Sequence, residues 1–196
     1  MINKKIYKKI RDFAKKYHKD LDYNHDMEHV DRTVKLAELL AKKENANLEV
    51  CKVAAYLHDI GKKFSKDVHG NHSAKIAENF LKKLIDDKKF IKQVCHAIYC
   101  HDKASIHKAK TKEAKVVYDA DKLQAIGPFG FCREFSHRLF FDKLKPRGAL
   151  KIVKKKEINR FKKELQTKTA KKIAKNEFNL MLKFYKMYDK WDKVNL

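Results

Sequence analysis

Five glycines and two prolines in 196 residues leave this chain few places to turn sharply. An architecture of many short strands needs such residues at every corner, so β structure is disfavoured from the outset. Apolar residues instead recur every three or four positions, the period of an amphipathic helix. Ile6, Ile10, Phe13 and Tyr17 mark a first helix, and Val30, Val34, Ala37, Leu40 and Ala41 a second. A third runs from about Leu48 through Val50, Val53, Ala54 and Leu57 and stops at Gly61. Phe64 to Asn71 reads as a loop. Ser73 opens a fourth helix, Phe90 to Cys100 forms a fifth and Glu113 to Ile126 a sixth. Gly127-Pro128 is expected to break the chain, with a helix resuming from Phe129 to Leu144. After Pro146-Arg147-Gly148, the lysine-rich stretch from Ala149 to Trp191 keeps helical spacing. The prediction is an all-α protein without repeats or low-complexity linkers. The last ~45 residues are too few for a core of their own and are expected to dock on the rest, giving one domain over 1–196.

No run approaches the ~20 apolar residues that a bilayer crossing needs. The opening Met1-Ile2-Asn3-Lys4-Lys5 lacks the apolar centre of a signal peptide, so a cytoplasmic protein with no membrane association is expected. Cys51, Cys95, Cys100 and Cys132 form no C-x-x-C pair and are read as buried, reduced core residues. The formal charge is +23, which attracts anions such as nucleotides and nucleic acids. The lysines are nevertheless spread along the whole chain, as on any solvated helix surface. Specific nucleic-acid recognition leans on arginine and stacking aromatics, so nucleic acid is not the favoured partner.

Chemistry-bearing residues gather in four places. His29 lies in Asp26-Met27-Glu28-His29 at the start of the second helix; His58-Asp59 closes the third; His96 and His101 flank Ala97-Ile98-Tyr99-Cys100; Asp121 lies in Asp119-Ala120-Asp121-Lys122-Leu123. Adjacent helical residues differ by ~100° about the axis, so His58 and Asp59 can lean into one cleft at a helix end. Imidazole nitrogen with carboxylate oxygen suits a transition-metal or zinc ion better than calcium.

The order His29, His58-Asp59, Asp121 follows the H…HD…D pattern, and the chain here resembles the HD-domain superfamily of metal-dependent phosphohydrolases. It looks most like that superfamily's small stand-alone hydrolases. The likeness extends through Ala54-Ala55-Tyr56-Leu57-His58-Asp59-Ile60-Gly61-Lys62, through His96 to His101, through Ala114 to Gly127, and to Leu165-Gln166-Thr167-Lys168-Thr169-Ala170. It implies a single-domain helical bundle with a metal site between central helices, a metal-binding core over about 23–145, and C-terminal helices over about 147–191. His29, His58, Asp59 and Asp121 are the implied ligands of a divalent Mn, Co, Ni, Fe, Mg or Zn ion. Asp121 is preferred to Asp119 because the family's last ligand directly precedes a Lys/Arg-Leu pair. A second metal, used by some members, would draw on His101 first, then His72, with His96 the weaker candidate. His18, His25, His69, His107 and His137 are read as surface or loop residues.

Besides Asp59, candidates for a direct part in the reaction are His101, as a phosphate contact, Lys62 as a point charge on phosphate, and Arg32 as a forked phosphate donor. Some nucleotidases of the superfamily carry an acidic residue where Lys62 stands, so their particular proton transfer is not expected here. The implied activity is hydrolysis of a phosphomonoester or phosphoanhydride bond, most naturally of a nucleotide, by metal-activated water. Competing readings are a di-iron oxygenase on the same scaffold and a regulatory module that binds a nucleotide or RNA. A homodimer is a common assembly for soluble proteins, and no residue here selects one.

Overall fold

The structure is a computed structural model that describes residues 2–65 and 68–194, and no strand occurs among them. Nine α-helices follow in order among the described residues: α1 Lys4–His18, α2 Met27–Glu44, α3 Leu48–Leu57, α4 Gly70–Leu81, α5 Lys88–Tyr99, α6 Lys112–Leu123, α7 Gly127–Phe140, α8 Pro146–Asn159 and α9 Lys168–Asp192. The all-α expectation therefore holds. None of the helices is long and apolar enough to cross a membrane. The chain divides into two compact units, Met1–Asp121 and Lys122–Leu196.

In the first unit, helix starts are written locally. Asn3, Asp26, Asn47 and Asp87 each take non-helical backbone and accept, through the side chain, the amide of the third residue on: Ile6, His29, Val50 and Phe90. Each bond satisfies one of the donors that a helix start leaves without an internal partner. Helix α2 stops on Asn45, whose φ of 53° is left-handed. Helix α3 is the axis of the unit, packing against α1, α2 and α5. Val50, Cys51, Val53, Ala54, Ala55 and Leu57 are buried on it, and its alanines let neighbouring backbones come close. Burying Leu40, Leu57, Ile60 and Ile98 removes each fully from water, worth about 1.5–3 kcal/mol apiece. Phe13 and Phe80 stack at 3.7 Å between ring centroids, tying α1 to α4.

Two of the helix starts that differ from the sequence expectation do so for one reason. Helix α4 begins at Gly70, three residues before Ser73. The Gly70 amide is satisfied by Asp102 Oδ2 at 2.6 Å, a partner 32 positions away that no local pattern reveals. In the second unit, α7 begins at Gly127, two residues before Phe129. Gly127 carries a φ of 78°, and its amide donates to Glu157 Oε1 at 2.7 Å. Pro128 and Pro146 sit in the first turns of α7 and α8, where their fixed φ suits a helix start and no amide is needed. Helix α7 also ends earlier than Leu144, at Phe140, with left-handed Lys143 shortly after.

The second unit packs α7, α8 and α9 around Leu150, Val153, Phe178, Met181 and Tyr185. Glu157 is buried there and bonded by the Tyr185 hydroxyl as well as by Gly127. The cysteine expectation holds only in part. Cys51 and Cys100 are buried, Cys95 is half-buried and Cys132 is exposed; all four are free thiols.

Candidate metal centre

Five segments of the first unit deliver side chains to one buried place. His29 is the third residue of α2, whose Asp26 cap holds the His29 amide. His58 caps the C-terminus of α3 and Asp59 follows it. His69 directly precedes α4, His101 follows α5 after Cys100, and Asp121 lies in the last turn of α6. His29, His58, Asp59, His69 and His101 are all at most 5% exposed.

The ligand-type atoms form two triads. His29, His58 and Asp121 make one and Asp59, His69 and His101 the other, with the atoms of each triad within 4.8 Å of one another. In the first, His29 Nε2 lies 3.2 Å from His58 Nε2 and 3.4 Å from Asp121 Oδ1. In the second, His69 Nε2 lies 2.6 Å from Asp59 Oδ1 and 2.9 Å from His101 Nε2. Asp59 turns one oxygen toward each triad. Its Oδ2 lies 3.4 Å from His58 Nε2 and 3.7 Å from His29 Nε2, while its Oδ1 lies 3.3 Å from His101 Nε2.

Tautomer arithmetic shows what this arrangement suits. His58 Nδ1 donates to the Ala55 carbonyl at 2.8 Å, and His101 Nδ1 to the Ile98 carbonyl at 2.6 Å. A carbonyl only accepts, so the proton of each neutral ring sits on Nδ1 and its Nε2 presents a lone pair. Burial, only partly offset by Asp59, pushes the His58 imidazole down to about 4, so the ring is neutral at pH 7. Lone pairs converging beside carboxylates repel one another unless a cation or a proton lies between them. Donors held ~2.0–2.2 Å from a common ion are roughly 3.0–3.5 Å apart, and the 3.2 and 3.4 Å separations of the first triad fall in that range. Burial alone would raise the Asp59 carboxyl; the imidazoles of His58, His101 and His69 around it outweigh burial and hold the group well below the usual carboxylate range. The first triad thus fits a divalent cation at these spacings, and the second offers the same kinds of donor with its 2.6 and 2.9 Å separations closed to hydrogen-bond distance.

The remaining sequence candidates divide. Asp119 is fully buried, whereas Asp121 reaches the first triad. His72 is exposed and its ring lies against Phe64 at 6.3 Å, outside both triads. His69, expected at the surface or in a loop, is buried beside Asp59 instead. The two residues are one turn apart, and which one faces the cleft depends on where α4 starts. His96 is outside both triads and accepts the Lys110 amide at 3.2 Å. Lys62 is half-buried, and Arg32 pairs with Glu28 at 3.2 Å along α2. His18, also expected at the surface, is buried and donates from Nδ1 to the His25 carbonyl at 2.5 Å. Asp102, which carries no motif of its own, is buried at the back of the second triad.

Known proteins resemble this chain in sequence and fold. The family model of the HD domain matches residues 26–126. The Bacillus subtilis protein YpgQ is 27% identical over 193 residues, covering 92% of this chain and 91% of its own. Among solved structures, YpgQ in complex with ADP superimposes with a TM-score of 0.73 at 25% identity, over 94% of this chain and 93% of that one. A Listeria innocua protein gives 0.74 at 27% identity, over 98% and 99%. An HD-superfamily hydrolase from Bacillus thuringiensis gives 0.70 at 26%, over 96% and 97%.

Proposed function

Because this chain belongs to the HD-domain family, we propose that it is a metal-dependent phosphohydrolase acting on a phosphomonoester or phosphoanhydride bond of a nucleotide. The observation that carries the reading is the convergence of imidazole lone pairs on carboxylate oxygens in the two triads. When bound there, a divalent cation would supply polarisation of a phosphoryl oxygen and a water of lowered pKa. His29, His58, Asp59 and Asp121 would hold one such ion, and Asp59, His69 and His101 would hold a second.

Around that centre the chain's own groups handle the charge of the substrate. Lys62, three residues after Asp59 and half-buried, supplies a point charge to a phosphate. Arg32 exchanges its Glu28 partner for a phosphate, a trade favoured by charge and by the planar guanidinium fork. The nucleotide preference is supported by the +23 charge, which draws polyanions, and by the ADP seen with YpgQ.

The test is turnover of a panel of nucleoside mono-, di- and triphosphates by protein reconstituted with Mn²⁺, Co²⁺, Ni²⁺ or Mg²⁺. Phosphate or pyrophosphate release is expected, and His58→Ala and Asp59→Ala should abolish it. Protein that retains its metal yet turns over no member of the panel would contradict the proposal. The pair of triads sharing Asp59 also favours a second reading, a di-iron oxygenase. Iron-dependent oxygen uptake in place of phosphate release would identify it.

A further inference from the structure

His69 is flanked by carboxylates on two sides. Its Nε2 faces Asp59 Oδ1 and His101 Nε2, and its Nδ1, buried with no hydrogen-bond partner, lies 3.6 Å from Asp102 Oδ1. We infer that Asp102 is a positioning residue for the second triad: its carboxylate fixes the proton of His69 on Nδ1 and so aims the Nε2 lone pair at the ion. The inference rests on the reading that this triad takes a cation.

Three observations single out Asp102. It is 5% exposed and, among the described residues, pairs with no lysine or arginine. A buried carboxylate without such a partner is costly unless donors surround it. One donor is the Gly70 amide, 2.6 Å from Oδ2. The other oxygen has two nitrogens at 3.6 Å, His69 Nδ1 and His101 Nε2. His101 spends its ring proton on the Ile98 carbonyl at 2.6 Å, so its Nε2 offers a lone pair and repels the oxygen. His69 Nδ1 is the nitrogen left to donate. A contraction of a few tenths of an ångström makes that bond, which would accompany the ring's turn toward an ion.

The backbone is adapted to the same end. Gly70 follows His69 directly, and a Cβ built on it would lie 2.8 Å from Asp102 Oδ2 and 2.7 Å from the Tyr99 carbonyl. The lack of a side chain there lets the carboxylate close on the amide that starts α4. One side chain therefore pins both the backbone after His69 and the ring of His69. A carboxylate behind a ligating imidazole raises its basicity and fixes its orientation, and losing it costs ~10–100-fold in metal affinity.

The experiment is Mn²⁺ binding to the full chain, followed by equilibrium dialysis and electron paramagnetic resonance, for wild type, Asp102→Asn, Asp102→Ala and His69→Ala. Wild type should bind two Mn²⁺ per chain and show the spectrum of a spin-coupled pair. Asp102→Ala should weaken one of the two sites roughly 10–100-fold, leave the other unchanged and convert the spectrum to that of an isolated ion, as His69→Ala does outright. Asp102→Asn keeps the volume and an oxygen for the Gly70 amide, so it separates a structural role from a positioning one. It should fold like wild type yet bind the weakened site with intermediate affinity. Two full-affinity sites in Asp102→Asn would overturn the inference and leave the metal reading intact. A wild type that binds a single Mn²⁺ would overturn both the inference and the second-triad reading, with the first triad still standing.

Discussion

At the scale of single residues, Gly61 shows how closely the centre is fitted to its surroundings. Its amide donates to Ser73 Oγ at 2.9 Å. A Cβ at that position would lie 2.5 Å from the Ser73 amide nitrogen and 2.8 Å from the His69 carbonyl oxygen. Both obstacles are backbone or held by it, so relief requires α4 to move, and His69 moves with it. Gly61→Ala is therefore expected to cost about 1–3 kcal/mol, read as a lowered midpoint in thermal unfolding. Activity should fall further than the stability loss explains. A variant with wild-type stability and activity would show that the approach is not tight. The sequence made Gly61 legible only as a helix terminator. His29, His58, Asp59 and Asp121 were readable as a group because their types and order form a pattern that survives without coordinates. His69 and Asp102 belong to no such pattern. Their meaning lies in a contact across the 32 positions from Gly70 to Asp102.

At the scale of elements, the existence of the helices can be read from local side-chain spacing, whereas two of their starts depend on remote partners. The six-helix periodicity of the first unit follows from side-chain spacing, and Asp26 and Asn47 cap helices in the ordinary short-range way. The starts of α4 and α7 are set by Asp102 and Glu157, each about 30 residues distant in sequence. Charge on the second unit's helices follows the same logic. Glu134 of α7 lies 3.5 Å from Arg138 and from Arg160 and 3.6 Å from Lys156. Burial would raise its carboxyl, but the Arg160, Lys156 and Arg138 charges prevail and hold it at about 2, below its ordinary 4.5. A carboxylate depressed in the folded state stabilises fully above its unfolded value, and that stability is lost as pH falls through the folded one. Glu134 should therefore contribute a loss of stability between about pH 4.5 and about 2. Urea titrations at stepped pH should show that loss reduced in Glu134→Gln; an identical acid profile in the variant would remove Glu134 from the account.

At the scale of the whole molecule, two features set the chemistry: a buried, nitrogen- and oxygen-lined centre in the first unit, and a strongly positive charge distributed along the chain. The charge raises the local concentration of anionic substrates of any kind; it does not choose among them. The choice of reaction lies in the centre. Its members come from α2, the end of α3, the start of α4, the end of α5 and α6, so a cation there would also bind five segments together and stabilise the fold in proportion to its affinity. The most direct measurement is anomalous X-ray scattering at the manganese edge from crystals of the full chain grown with Mn²⁺. The account predicts a strong peak enclosed by His29, His58, Asp59 and Asp121, with a neighbouring peak against His69 and His101. Ordered side chains in these positions with no anomalous density between them at saturating Mn²⁺ would contradict it.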